Sequence, residues 1–224
     1  MKRSAKILTL AIALFAGFGT SAAHAEGFKV GADVVSSYVW RGTDYGDSPA
    51  IQPALSYTFK NGISVGAWGS YAVTENNGND RYKEVDLTVS LPVGPFTFAV
   101  TDYNNNPEGA KAFDFSNDSS NVVEISTAYA AGNLSLLAAI NVAGLEGTAK
   151  HAKYCEAGYK FYEKDGYTAK LVAGLGDEDY YGDANGDNVA LVNTGVSVSK
   201  DRFTGSFVYN PDTEKSYLVF MASF

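Results

Sequence analysis

A chain of 224 residues with 46% hydrophobic, 13% aromatic and 19% charged side chains has the bulk of a folded domain and too little charge for a disordered one. Its 23 glycines and 6 prolines are too many for a helical bundle, its single cysteine excludes an internal disulfide, and two histidines leave little for histidine chemistry. A net charge of −8 removes any electrostatic claim on nucleic acid, so no nucleic-acid partner is expected, and neither is catalysis or a cofactor.

In chain order, residues 1–25 read as a secretory signal peptide. Lys2, Arg3 and Lys6 open it, Ile7 to Gly19 is an apolar run, and Ala23-His24-Ala25 supplies the small-x-small cleavage site. The run is shorter than the ~20 apolar residues a bilayer-spanning helix needs. The folded unit is then 26–224.

From Phe28 onward the apolar residues recur at a spacing of two, and the strand-favouring Tyr, Phe, Val and Thr are abundant. Twelve strands are predicted: 28–40, 50–59, 63–73, 82–93, 96–103, 122–130, 134–142, 153–162, 167–175, 189–200, 203–209 and 216–224. Most have the ~9–11 residues that a tilted strand needs to cross hydrocarbon. The connections alternate. Lys60-Asn61-Gly62, Gly94-Pro95, Ala131-Gly132-Asn133, Glu163 to Gly166 and Asp201-Arg202 are tight turns, while 41–49, 74–81, 104–121, 143–152 and 176–188 are longer polar loops, with 210–215 a shorter final one. Short turns at one end and long loops at the other point to an all-β, transmembrane, antiparallel up-and-down barrel with short periplasmic turns and longer extracellular loops.

Charge placement sharpens this. One phase of every strand is apolar, as in Phe28, Val30, Ala32 and Val34, or Val85, Leu87, Val89 and Leu91; in strand 189–200 it is read as Ala190, Val192, Val196 and Val198. The charges Lys29, Asp33, Glu84, Asp86, Glu124, Glu156, Lys160 and Lys170 fall in the opposite phase. With Arg41 they are the candidate pore-lining residues: Glu84, Asp86, Glu124, Glu156 and Arg41 toward the loop side, Lys29, Asp33, Lys160 and Lys170 toward the turn side. The rest of the inward phase is mostly Ser, Thr, Gly and Ala, which leaves room for water in a barrel wider than about eight strands. A lumen closed by a loop or by ion pairs is the alternative, with 104–121 the candidate constriction. Tyr57, Phe59, Phe96, Tyr159, Phe161, Tyr167, Phe203 and Phe224 are expected to form a turn-side aromatic girdle, and Trp40, Tyr71, Tyr103 and Tyr209 a loop-side one.

The last strand, Leu218, Phe220, Ala222 and terminal Phe224, is similar to the C-terminal strands through which outer-membrane proteins engage the barrel-assembly machinery. Asp183, Asn185 and Asp187 are spaced like the first ligands of a calcium loop, but Asn188 and Thr194 stand where its Gly and Glu belong, so a solvated turn is the better reading. His151 has no recognisable triad partner and reads as a loop histidine. Cys155 reads as a small outward hydrophobe.

Ser36-Ser37-Tyr38-Val39-Trp40-Arg41-Gly42, Pro49-Ala50-Ile51-Gln52-Pro53 and Gly66-Ala67-Trp68-Gly69-Ser70 resemble the N-terminal motifs of the TorF-type porin family of proteobacterial outer-membrane proteins. The likeness spans roughly residues 33–71. Members typically carry Asp before that Tyr and a Gly pair after that Gln, where this chain has Ser37 and Pro53-Ala54. The resemblance implies an outer-membrane barrel. The expected function is a porin-like channel for passive diffusion of small hydrophilic solutes with mild cation preference, its other partners being outer-membrane lipids and the assembly machinery. The alternative is a closed structural or adhesive barrel that binds a partner through its loops.

Overall fold

The computed structural model describes residues 26–75, 81–105, 114–116, 121–184 and 188–224. Among the described residues the strands are β1 (Gly27–Val35), β2 (Val39–Trp40), β3 (Thr43–Asp44), β4 (Ala50–Thr58), β5 (Ser64–Ala72), β6 (Lys83–Val93), β7 (Phe96–Asn105), β8 (Asn121–Ala131), β9 (Leu134–Ala143), β10 (Lys153–Lys164), β11 (Tyr167–Asp177), β12 (Val189–Lys200), β13 (Phe203–Asn210) and β14 (Lys215–Ser223), with one short helix, α1 (Glu178–Tyr181). All but β2 and β3 form a closed barrel in which every strand pairs antiparallel with its neighbours, while β2 and β3 make a separate hairpin. Closure runs through β1, which pairs with β4 along its length and with β14 at Asp33↔Ser223 to Val35↔Met221. Phe224 extends the seam: its N–H donates to the Ala32 carbonyl at 2.9 Å and its own carbonyl accepts from the Ala32 N–H at 3.2 Å.

The local chemistry follows from the sequence. Val93↔Phe96 is closed by Gly94-Pro95, with Gly94 at φ +60 and proline fixing the next φ near −65°, the combination a two-residue hairpin wants. Lys60-Asn61-Gly62 is held by the Asn61 Oδ1, which accepts from the Ile63 N–H at 3.2 Å. Alternation then sorts the side chains. Phe28, Val30, Ile51, Leu55, Val89, Phe98, Val100, Ile125, Leu136, Leu171, Phe207, Leu218 and Phe220 are exposed on the outer wall, whereas Asp33, Gln52, Ser70, Glu84, Asp86, Thr101 and Glu124 are buried inside. The barrel is thus inverted relative to a water-soluble one, whose apolar side chains fill the interior. Among the described residues no helix is long and apolar enough to cross a membrane.

Two departures from simple alternation matter. The first strand ends at Val35; the Ser36 N–H still donates to the Phe220 carbonyl at 2.8 Å, and from there the chain turns into the barrel instead of extending the strand to residue 40, rejoining the wall at Pro49, whose carbonyl accepts from the Val73 N–H at 2.8 Å. A bulge at Gly174/Leu175 leaves Val192 unpaired and flips the start of β12. Val192 is therefore 0% exposed and inward, while Val189 is 60% exposed, the reverse of the phase that periodicity assigns to Ala190 and Val192. The aromatic expectation divides as well. Phe59, Phe96, Tyr159, Phe161, Tyr167, Phe203 and Phe224 are exposed near the turn side, and Tyr71 is exposed near the loop side. Trp40 and Tyr103 instead lie inside the barrel, their rings 5.4 Å apart. Most of 104–121 is outside the described residues, and so is the constriction expected of it.

Candidate functional site in the barrel lumen

The segment that enters the lumen is a miniature hairpin. Val39↔Asp44 and Trp40↔Thr43 pair, leaving Arg41-Gly42 as a two-residue turn with φ of 49 and 85. Positive φ at both central positions is the twist that a tight hairpin prefers. The base is stitched by the Tyr45 N–H, which donates to the Tyr38 carbonyl at 2.7 Å, and by the Ser37 hydroxyl, which donates to Asp44 Oδ1 at 2.7 Å. Gly42 lies so close to the wall that a Cβ there would overlap the Val192 carbonyl oxygen. Only glycine permits this approach.

The tip delivers Arg41 to a prepared cage. Its Nη1 donates to Glu124 Oε2 at 2.6 Å and its Nη2 to Glu124 Oε1 at 3.0 Å, a two-pronged, charge-assisted pair. Nη1 also donates to the Tyr181 hydroxyl at 2.8 Å, and the Tyr103 hydroxyl donates to Glu124 Oε1 at 3.2 Å. The guanidinium carbon sits 4.3 Å from the ring centroids of both Trp40 and Tyr154. Glu124 is 0% exposed. A carboxylate buried that deeply is tolerated only with its charge and lone pairs answered. Helix α1 presents Tyr181, whose carbonyl accepts from Asn210 Nδ2 at 3.2 Å. Ala149 and Ala152 of the loop after β9 pack alongside, so segments from three loops fill the loop-side half of the lumen.

Around this plug stand further polar groups. Tyr38, Tyr45, Trp68 and Tyr82 form an aromatic layer with ring centroids 5.3–6.0 Å apart. Beside it the Tyr82 hydroxyl lies 2.8 Å from Glu84 Oε2. Glu84 and Asp86 are buried on one face of β6 and make no ion pair with a described basic residue. On β10 the Tyr154 hydroxyl donates to Glu156 Oε2 at 2.7 Å, and Asn193 Nδ2 donates to the same oxygen at 3.1 Å. In the turn-side half Ser56, Thr58, Ser64, Thr88, Ser90, Ser135, Ser197 and Ser199 are half-buried, while Thr97, Thr204 and Ser206 are buried.

The candidate residues divide between the two halves of the lumen. Glu84, Asp86, Glu124 and Glu156 lie in the loop-side half of the wall, and Lys29, Lys160 and Lys170 in the turn-side half. Asp33 belongs to the loop-side half, contrary to the sequence-based placement, because β1 stops two residues later. Arg41 is on the hairpin inside the lumen instead of on its wall. A bulge after Lys160 turns Glu163 inward, where it pairs with Lys160. Tyr103, Tyr154 and Tyr181 escape sequence reasoning as site residues, and only the adjacent Tyr180-Tyr181 in an acidic loop hints at one of them. Of the calcium-like triad, Asn185 and Asp187 lie outside the described residues; the Asp183 N–H donates to Asp212 Oδ2 at 2.8 Å. At this outer rim desolvation and the neighbouring Asp212, Asp183 and Asp179 raise the Glu178 carboxyl above its ordinary value. His151 sits in an exposed loop at φ 71.

A family model described as a bacterial protein of unknown function, Gcw_chp, matches residues 20–188, well over half of the chain. The chain belongs to the Gcw_chp family. A search of curated proteins gives no match. The Gcw_chp span contains the hairpin, the Glu124 cage, the Glu84–Asp86 pair and α1, and it stops just ahead of β12. The plug and most of its socket therefore fall within the region by which the Gcw_chp family is recognised, while the closing strands β12–β14 do not.

Proposed function

We propose that the chain is an exported outer-membrane barrel of porin type, a channel for small hydrophilic solutes with a cation preference, held shut by the 36–49 plug. The observation that carries this reading is the inversion of the barrel: apolar side chains outside, ionisable ones inside. The signal-like residues 1–25, the sorting of short turns from long loops and the C-terminal Phe224 support the outer-membrane part. The resemblance to TorF-type porins supports the channel part. Glu84, Asp86, Glu124 and Glu156 give the loop-side wall an excess of negative charge over Arg41, and rings of one sign set ion preference in pores.

Two experiments test it. Membrane fractionation with heat-shifted gel mobility should place the chain in the outer membrane; recovery as a soluble periplasmic protein removes the reading. In planar bilayers the wild type should conduct rarely, and deletion of residues 37–47 should open a steady cation-selective conductance that Glu84→Gln/Asp86→Asn weakens. A deletion variant that keeps its heat shift but never conducts favours the second reading, a closed structural or adhesive barrel. The observation on that side is the dense packing of the plug around a fully buried ion pair.

A further inference from the structure

The Arg41 side chain is held as a ligand is held. Its contacts come mainly from other elements: both oxygens of Glu124 on β8, the Tyr154 ring on β10, the Tyr103 hydroxyl on β7 acting through Glu124, and the Tyr181 hydroxyl on α1. Only Trp40 travels with the hairpin. If the hairpin withdraws, the wall keeps an aromatic face and a carboxylate whose hydroxyl partner is already in place, while its ion-pair partner leaves with the hairpin and the basic wall residues Lys29, Lys160 and Lys170 lie in the turn-side half. A carboxylate buried in such a place needs a counter-ion from solution.

From this we infer that the wall socket now filled by Arg41 is the lumen's solute-binding site, that its ligand is a small organic cation carrying a guanidinium group, and that Arg41 is the internal competitor that keeps it out. The geometry selects guanidinium over ammonium. The pair is two-pronged, each carboxylate oxygen facing its own N–H, and the flat group lies 4.3 Å from Tyr154. A planar fork satisfies both at once, whereas an ammonium is a hydrated point charge with no face to stack. The acidic outer rim of Glu178, Asp179, Asp183 and Asp212 would enrich such cations at the mouth. The inference names the solute of the channel proposed above and rests on that reading for its physiological sense, but binding itself needs no open pore.

The test is therefore a binding measurement. Full-length Arg41→Ala protein, refolded in detergent and checked by its heat shift, is titrated calorimetrically with methylguanidinium and with methylammonium. Methylguanidinium should bind Arg41→Ala at least tenfold more tightly than it binds wild type, whose socket is filled, and at least tenfold more tightly than methylammonium does. Adding Glu124→Gln should abolish the binding. If Arg41→Ala does not fold alone, refolding is repeated with methylguanidinium: recovery supports the site and no recovery overturns it. A folded Arg41→Ala that binds neither cation, or both equally, also overturns it. Binding is read independently of conductance, since a conducting barrel without guanidinium binding leaves the channel standing and removes this site. An impermeable barrel that binds does the reverse.

Discussion

Arg41 and Glu124 show how one residue pair can decide the state of a lumen. Both are nearly devoid of solvent contact, so removing one leaves the other as an uncompensated buried charge, which costs about 3–5 kcal/mol in comparable sites. Glu124→Ala should therefore lower the urea midpoint sharply, read by the fluorescence of Trp40 in the plug and of Trp68, which packs against it. The double replacement Arg41→Met/Glu124→Leu should recover most of that loss, because a matched apolar pair leaves no orphan charge. An additive double variant would show that the pair is not coupled. The exposed Lys60–Glu26 pair, 3.8 Å apart, gives the control: Lys60→Ala should change the stability by less than about 1 kcal/mol. Arg41 also holds a left-handed φ of 49, a conformation costing about 1–2 kcal/mol outside glycine, which its cage must offset.

At the scale of elements, alternation names every wall strand, and its errors have physical causes. Residues 36–40 continue the apolar rhythm of β1, so periodicity alone extends the strand. What bends the chain inward is the Arg41-Gly42 turn together with the distant Glu124, and neither has a local period. Periodicity puts Val192 on the wrong face because a bulge adds one residue that only the partner strand reveals. The carboxylates of the socket are legible as the charged phase of their strands, but its aromatic half is not, since a lone Tyr has the same pattern value inside or outside. Gly42 tests the docking of the hairpin directly. Gly42→Val places a side chain against the Val192 carbonyl at φ +85, so the hairpin must lift while the wall strands keep their pairing. The expected result is an unchanged heat shift with channel openings at least tenfold more frequent than in wild type. A variant that stays shut would mean that the hairpin is not the gate. The seam offers a second test. Without Phe224 two backbone hydrogen bonds to Ala32 vanish beside β1 and β14, and the folded fraction after refolding should fall at least twofold.

For the molecule as a whole, the question is which solvent each face of the wall was built for. Val100 lies midway along β7, opposite Val89 on one side and Ile125 on the other, and all three are exposed. Ser90 lies one residue beyond Val89 on β6, faces inward, and is half-buried in the turn-side half. If the outer wall meets hydrocarbon, Val100→Arg puts a cation near the midplane at about 2–4 kcal/mol, enough to lower the folded fraction in lipid vesicles severalfold. Ser90→Arg sends its guanidinium into the watery interior, beside Ser64 and Ala99, and should refold as wild type does. If the outer wall met water, the order would invert. An arginine on an exposed strand is worth about ±0.5 kcal/mol, while one added to a closed interior is overpacked and unpaired. The two folded fractions, measured side by side in vesicles, therefore tell membrane barrel from soluble barrel through the sign of their difference. A Val100→Arg protein that refolds as well as wild type would take away the lipid-facing wall, and with it the channel and its solute.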